Sequence, residues 1–360
     1  MLLNQNLYYK LNLLVQCYIS KIKEQMDKKI PIKLSKEELI SKAFNYHLEG
    51  NIDQASRYYE IFIDTGYSDS RVMSNYGVIL KQKGNIKDAI NLFHESIRLN
   101  AKNPDPYSNL GVIYTNLGEL KKAELFTLKA IELKPDLVNS YINMTTILKR
   151  LGKGKDSEKY ALEALKINNR LPETHNNLGQ VLEDQKRHLV AKECYLKAIE
   201  IKPEFIEAYI NLGNLLVKIG DLKEAKEIMT KALSLCKNDI RIYLNLSYIL
   251  REMSQLYEAK SMIEKAINIK PNNSILYINL SSILRDMGDL IGSELAINKS
   301  IKLDPDNEQS FYNLSTILID LGKFKEAELA ARKTIQINRQ FIKAYYILST
   351  LIKRINIDDL

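Results

Sequence analysis

The chain has 360 residues, 45% hydrophobic and 27% charged, a balance that suits a folded protein and is too apolar for a disordered one. Its net charge of +8 arises from 52 basic and 44 acidic residues mixed along the whole length, so the clustered cations and interleaved exposed aromatics of a nucleic-acid interface are missing. No apolar run approaches the about 20 residues that cross a bilayer, and Cys17, Cys194 and Cys236, odd in number and far apart, are not a disulfide framework, which points to a soluble protein of a reducing compartment, the cytoplasm.

Residues 1–35 are expected to form an N-terminal amphipathic helix and linker. Apolar side chains recur at helical spacing in Leu7, Leu11, Leu14, Val15, Tyr18 and Ile22, but Asn4, Asn6, Lys10 and Asn12 interrupt them, which excludes the unbroken apolar centre of a signal peptide. This helix either caps the first repeat or docks a partner, or else the true start is Met26. Self-association through it is left open.

From residue 36 onward one residue type keeps a fixed step. Asparagine recurs every 34 residues at Asn75, Asn109, Asn143, Asn177, Asn211, Asn245, Asn279 and Asn313. With Asn75 as the sixth position, nine tandem units fill 36–341 and begin at Lys36, Ser70, Pro104, Val138, Pro172, Ile206, Ile240, Ser274 and Glu308. Position 4 is aromatic in most units and position 7 is mostly leucine, so positions 4, 7 and 11 share one helical face. Position 8 is small (Gly77, Gly111, Gly179, Gly213, Ser247, Ser281, Ser315) and so is position 20 (Ala55, Ala89, Ala123, Ala191, Ala225, Ala259, Ala327), which lets two helices approach closely. Position 15 is commonly glycine, the residue that tolerates the left-handed conformation at a helix end. Position 32 is proline in several units, which stops further helix. Each unit therefore reads as helix, tight turn, helix, short turn. Residues 342–360 are expected to form a C-terminal capping helix that packs through Tyr345, Leu348 and Ile352.

This pattern resembles the tetratricopeptide repeat, as in Tyr209-Ile210-Asn211-Leu212-Gly213, Gly220-Asp221-Leu222-Lys223-Glu224-Ala225 and Lys197-Ala198-Ile199-Glu200-Ile201-Lys202-Pro203. Local departures are Leu39 and Ser41 in the first unit, and His175 in the aromatic slot and Lys186 at the turn glycine in the fifth. The resemblance implies an all-α fold, a right-handed α-solenoid superhelix of antiparallel helix pairs, with the first helices lining a concave groove and position 6 facing it.

The asparagine row then becomes a candidate peptide-binding track. An amide side chain offers both a donor and an acceptor, which suits the backbone of an extended polypeptide. Asparagine in a helix is worse than alanine by about 0.6 kcal/mol, so eight forgo about 5 kcal/mol of propensity, and some interaction must offset that. Composition does not explain the row, because asparagine supplies only about one residue in twelve. The amides either bond the adjacent repeat or contact a ligand as well. Beside them at position 5, Ile210, Leu244, Ile278 and Tyr312 form an apolar stripe that serves either inter-repeat packing or pockets for apolar ligand side chains. Charges at positions 12 and 13 (Lys149, Arg150, Glu183, Asp184, Arg251, Glu252, Arg285, Asp286, Asp320) are where selectivity is expected.

Catalytic chemistry is not legible. His47, His94, His175 and His188 are scattered, without metal-ligand spacing, and His175 reads as a core substitute for tyrosine. Gly152-Lys153-Gly154-Lys155 lacks the phosphate-loop pattern and falls at an inter-helix turn. No catalytic residue, metal or cofactor is assigned. The expectation is a non-enzymatic interaction scaffold for a protein or extended peptide, with no nucleic acid and no membrane insertion. The alternative is a stand-alone relative of the substrate-presenting repeat region of O-linked N-acetylglucosamine transferases, which an unbroken asparagine row resembles.

Overall fold

A computed structural model describes residues 34–358, and the expected N-terminal helix and Cys17 lie outside them. All nineteen elements among the described residues are α-helices. They divide into two compact units at Leu117.

The first unit holds α1 (Lys36–Leu48), α2 (Ile52–Asp64), α3 (Ser70–Gln82), α4 (Ile86–Leu99) and α5 (Pro104–Asn116). The second holds α6 (Leu120–Leu133), α7 (Val138–Arg150), α8 (Gly154–Ile167), α9 (Pro172–Asp184), α10 (His188–Ile201), α11 (Ile206–Lys218), α12 (Leu222–Leu235), α13 (Ile240–Glu252), α14 (Leu256–Ile269), α15 (Ser274–Asp286), α16 (Leu290–Leu303), α17 (Glu308–Asp320), α18 (Phe324–Ile337) and α19 (Ile342–Asp358). Within each unit every helix packs on its chain neighbours, and first helices also pack on the next first helix: α3 on α5 in the first unit, and α7 through α9, α11, α13 and α15 to α17 in the second.

Local chemistry explains the helix boundaries. Ser35 opens α1 with a capping box, its Oγ accepting from the Glu38 N–H while Glu38 accepts the Ser35 N–H, which satisfies two otherwise unpaired donors. Asp69, Asn103, Asp239, Asn273 and Asn307 cap later first helices more simply, each with a side-chain oxygen that accepts a first-turn N–H. At position 15 the backbone is left-handed in every unit, with glycine φ reaching +72° at Gly152 and +85° at Gly220. Lys186 (φ 63°) and Ser254 (φ 59°) adopt it without being glycine, so the fold imposes the turn even where a side chain opposes it. Ser254 is a departure that the sequence pattern alone did not single out.

The two helices of a unit meet across the small positions. A Cβ placed on Gly179 would lie 2.6 Å from the Tyr195 ring, and one on Gly77 2.8 Å from the Phe93 ring. The alanines at position 20 are fully buried, and the serines that replace alanine there, Ser157 and Ser293, donate 2.7 Å bonds to the Thr145 and Ser281 carbonyls of the facing helix. The aromatic slot does more than pack. The hydroxyls of Tyr209, Tyr243 and Tyr277 donate to the carbonyls of Pro203, Lys237 and Pro271, six residues earlier in the preceding turn. His175 brings Nε2 within 2.9 Å of the Asn169 carbonyl in the same register, replacing tyrosine in its polar role.

At the end of the second unit α19 packs on α18, with Ala344 and Leu351 buried. Two residues expected to pack are instead open, Tyr345 at 47% and Ile352 at 37% exposure. They occupy positions that elsewhere face the unit's own second helix, and no second helix follows α19 among the described residues.

Candidate peptide-binding face

Position 6 falls on the middle of each first helix, and all eight asparagines are half-buried. In the first unit Asn109 is fully engaged: its Oδ1 accepts from Lys81 Nζ at 2.7 Å and its Nδ2 donates to the Asp105 carbonyl one turn back at 3.1 Å. Asn75 borders the hydroxyl of Tyr59, which burial pushes up to about 12 against a smaller opposing effect of that amide.

In the second unit the amides differ from one another. Asn211 Nδ2 donates to Asn176 Oδ1 of the preceding repeat at 2.8 Å. Asn279 donates to the Ile275 carbonyl of its own helix at 2.8 Å. Asn313 accepts from Gln309 Nε2 at 2.7 Å and reaches Ser282 Oγ at 3.4 Å. Among the described residues the side chains of Asn143, Asn177 and Asn245 have no hydrogen-bond partner. The row is therefore part inter-repeat rung, part helix back-bond and part open amide. Asn176, only 5% exposed, is a polar residue of this face that the repeat pattern places at a variable position. Its signal was a second asparagine directly preceding a row member.

Several charges at positions 12 and 13 are paired between neighbouring repeats. Lys218 pairs with Glu183, Arg251 with Asp286 and Arg285 with Asp320, each joining consecutive repeats across 35 residues. Lys149 donates to Gln180 Oε1 at 2.6 Å. Stacking brings position 12 of one repeat against position 13 of its neighbour, so opposite charges meet there within the protein. Asp320 also helps hold the Arg285 guanidinium in its charged form.

The apolar stripe also divides. Ile210 is 8% exposed and belongs to the core, and Leu244 packs against the same core. Both sit where the stacked first helices close on each other, so neither offers an open pocket wall. Ile278 and Tyr312 instead line a cavity of about 460 Å³ together with Asn313. Phe341 supports the Tyr312 ring with centroids 5.1 Å apart.

Several of the remaining candidate groups have structural roles, while His188 Nδ1 is buried without a hydrogen-bond partner among the described residues. Gly152 is the left-handed turn residue and Lys153 pairs with Glu124 at 2.5 Å. His47 Nδ1 lies 3.1 Å from the Tyr59 hydroxyl. Cys194 and Cys236 are free thiols, and burial pushes Cys194 up to about 11, so its nucleophilic thiolate is scarce near neutrality. Among the described residues no cluster of three His, Cys, Asp or Glu side chains could hold a metal, and no helix is long and apolar enough to cross a membrane.

Models of the TPR repeat match residues 77–118, and models of the tetratricopeptide repeat match 170–238 as well as 104–137, 240–273, 275–307 and 308–341. No curated protein matches the sequence. Among solved structures, one from the functional characterization of Pseudomonas aeruginosa pilF is 21% identical, with 57% of this chain and 94% of that chain covered at a TM-score of 0.50. A chain of the APC/C hetero-tetramer Cut9-Hcn1 is 14% identical, with 88% of this chain and 67% of that chain covered at a TM-score of 0.55. Identities this low speak for the fold alone. The sequence matches and the helix pairs together show that this chain carries tetratricopeptide repeats and folds as a tetratricopeptide-repeat solenoid.

Proposed function

We propose that the protein is a non-enzymatic scaffold that holds an extended polypeptide along the first helices of its second unit, chiefly through Asn143, Asn177 and Asn245. One observation carries this reading: these three amides are half-buried on successive or near-successive first helices and have no hydrogen-bond partner among the described residues. A half-buried amide gains about 0.5–1.5 kcal/mol from each good hydrogen bond it makes, and a peptide backbone supplies donor and acceptor at short regular intervals. Asn211 contributes its Oδ1, because only its Nδ2 is engaged within the protein. Contacts of this kind read backbone, so affinity is spread over many sequences. Tetratricopeptide-repeat folds typically serve as protein-interaction scaffolds, in keeping with this role.

The test compares the full chain with the triple variant Asn143→Ala, Asn177→Ala, Asn245→Ala on an array of unstructured peptides of random sequence. Loss of three such bonds should weaken capture by about tenfold or more. Equal capture by both proteins would refute the reading.

A further inference from the structure

We infer that the open cavity lined by α13, α15, α17 and α19 receives an anionic side chain of the bound polypeptide, with the apolar stem of that side chain against Ile278, Tyr312 and Ile317. This rests on the peptide-binding role proposed for the asparagine row and adds a ligand chemistry to it. The cavity, about 460 Å³, is large enough for one bulky side chain, and every charged residue lining it is a cation: Arg251, Arg285 and Lys343.

The two arginines are held in place from outside. Each donates through Nε to a carboxylate of the next repeat, Arg251 to Asp286 and Arg285 to Asp320, and neither aspartate lines the cavity. Among the described residues their terminal guanidinium nitrogens make no hydrogen bond. An arginine fixed along one edge loses little further freedom when its remaining N–H groups meet an anion, and that geometry suits the oxygens of a carboxylate or phosphate. Lys343 has no partner among the described residues and is exposed. Since Asp286 and Asp320 balance the arginines, Lys343 supplies the uncompensated charge.

Much of the neutral polar lining is already committed. Ser282 Oγ donates to the Ile278 carbonyl at 3.0 Å, Gln309 Nε2 to Asn313 Oδ1 at 2.7 Å and Thr316 Oγ1 to the Asn313 carbonyl at 2.8 Å. The charged groups left open are thus donors. The apolar walls account for a preference for an anion carried on a hydrophobic stem over a free inorganic ion.

The probes are 3-phenylpropionate and phenyl phosphate, with neutral 3-phenylpropionamide and cationic 3-phenylpropylamine as counterparts. Each is titrated into the full chain carrying carbon-13-labelled isoleucine methyls, with the Ile278 and Ile317 signals observed by NMR. Both anions should shift these methyls saturably, and the amide and amine should bind at least about tenfold more weakly, as expected for loss of charge-assisted bonds. The relative affinity of the two anions distinguishes a carboxylate-bearing from a phosphate-bearing side chain. Lys343→Glu, at an exposed site with no internal partner, should weaken both anions about tenfold and leave the amide unchanged. Equal binding of acid and amide, absence of methyl shifts, or indifference to Lys343→Glu would overturn the inference. None of these results involves Asn143, Asn177 or Asn245, so failure of the anion pocket and failure of the amide track are separately visible.

Discussion

Asn211 donates from its side-chain nitrogen to Asn176 Oδ1 at 2.8 Å, so one member of the asparagine row is a rung between repeats. Its counterparts Asn177 and Asn245 have no such bond among the described residues. One residue type at one repeat position therefore does two different things, and substitutions separate them.

Asn211→Ala should destabilise the second unit by about 1 kcal/mol, because Asn176 is left as a buried amide without its donor. The triple alanine variant at Asn143, Asn177 and Asn245 should have the opposite sign, gaining about 1–2 kcal/mol from helix propensity with no internal bond lost. Urea denaturation followed by circular dichroism measures both. If all four positions destabilised alike, the distinction between rung and open amide would be wrong.

Two turns carry strain that glycine would relieve. Lys186 and Ser254 occupy the left-handed region at φ 63° and 59°, where a non-glycine residue costs about 1 kcal/mol. Lys186→Gly and Ser254→Gly should each raise stability by roughly that amount, less the added entropy of the unfolded chain. The shift in thermal midpoint gives the answer, with Gly220→Ala as the reverse control that should lower it.

The close approach of α9 and α10 should tolerate no added methyl group. Gly179→Ala would press a Cβ to within 2.6 Å of the Tyr195 ring, whose residue is fully buried. Overpacking of this kind costs about 1–3 kcal/mol, read as a lower urea midpoint. Adding Tyr195→Phe should not rescue it, since the clash is with the ring, whereas Tyr195→Leu should recover part of the loss.

Acid should weaken the start of α13. The Arg241 guanidinium, hydrogen-bonded to Asp239, holds that carboxyl below its ordinary value. A depressed folded pKa contributes stability above the unfolded value of about 3.9 and loses it as pH falls through the folded one. Asp239→Asn keeps a cap for the Arg241 N–H but removes the titration. At neutral pH the variant should be less stable by about 0.5 kcal/mol or less, given the partial exposure of the pair. The difference should begin to shrink below about pH 4 and vanish once pH falls below the lowered folded value, as read from denaturation midpoints across that range.

The helical repeat was legible in the chain because its signals are local. A glycine at position 15, small residues at positions 8 and 20, and apolar residues on one helical face specify backbone dihedrals and close approach within a single unit of 34 residues. Even His175, which departs from the pattern, kept the slot's polar contact at 2.9 Å from Asn169. The candidate site was legible only as a set of positions. Nothing local distinguishes Asn211 from Asn245, because the difference lies in Asn176, a neighbour 35 residues away.

The sequence by itself determined the period, the helix–turn–helix unit and the candidate row, since each follows from dihedral preference and apolar spacing along a short stretch. Tertiary structure alone decided which amides stay open, that Arg251 and Arg285 turn one edge toward Asp286 and Asp320, and that Ile210 belongs to the core while Ile278 and Tyr312 line a cavity. Those outcomes depend on how one repeat is rotated and stacked on the next, a geometry set by packing between units and not by the residues of any one of them.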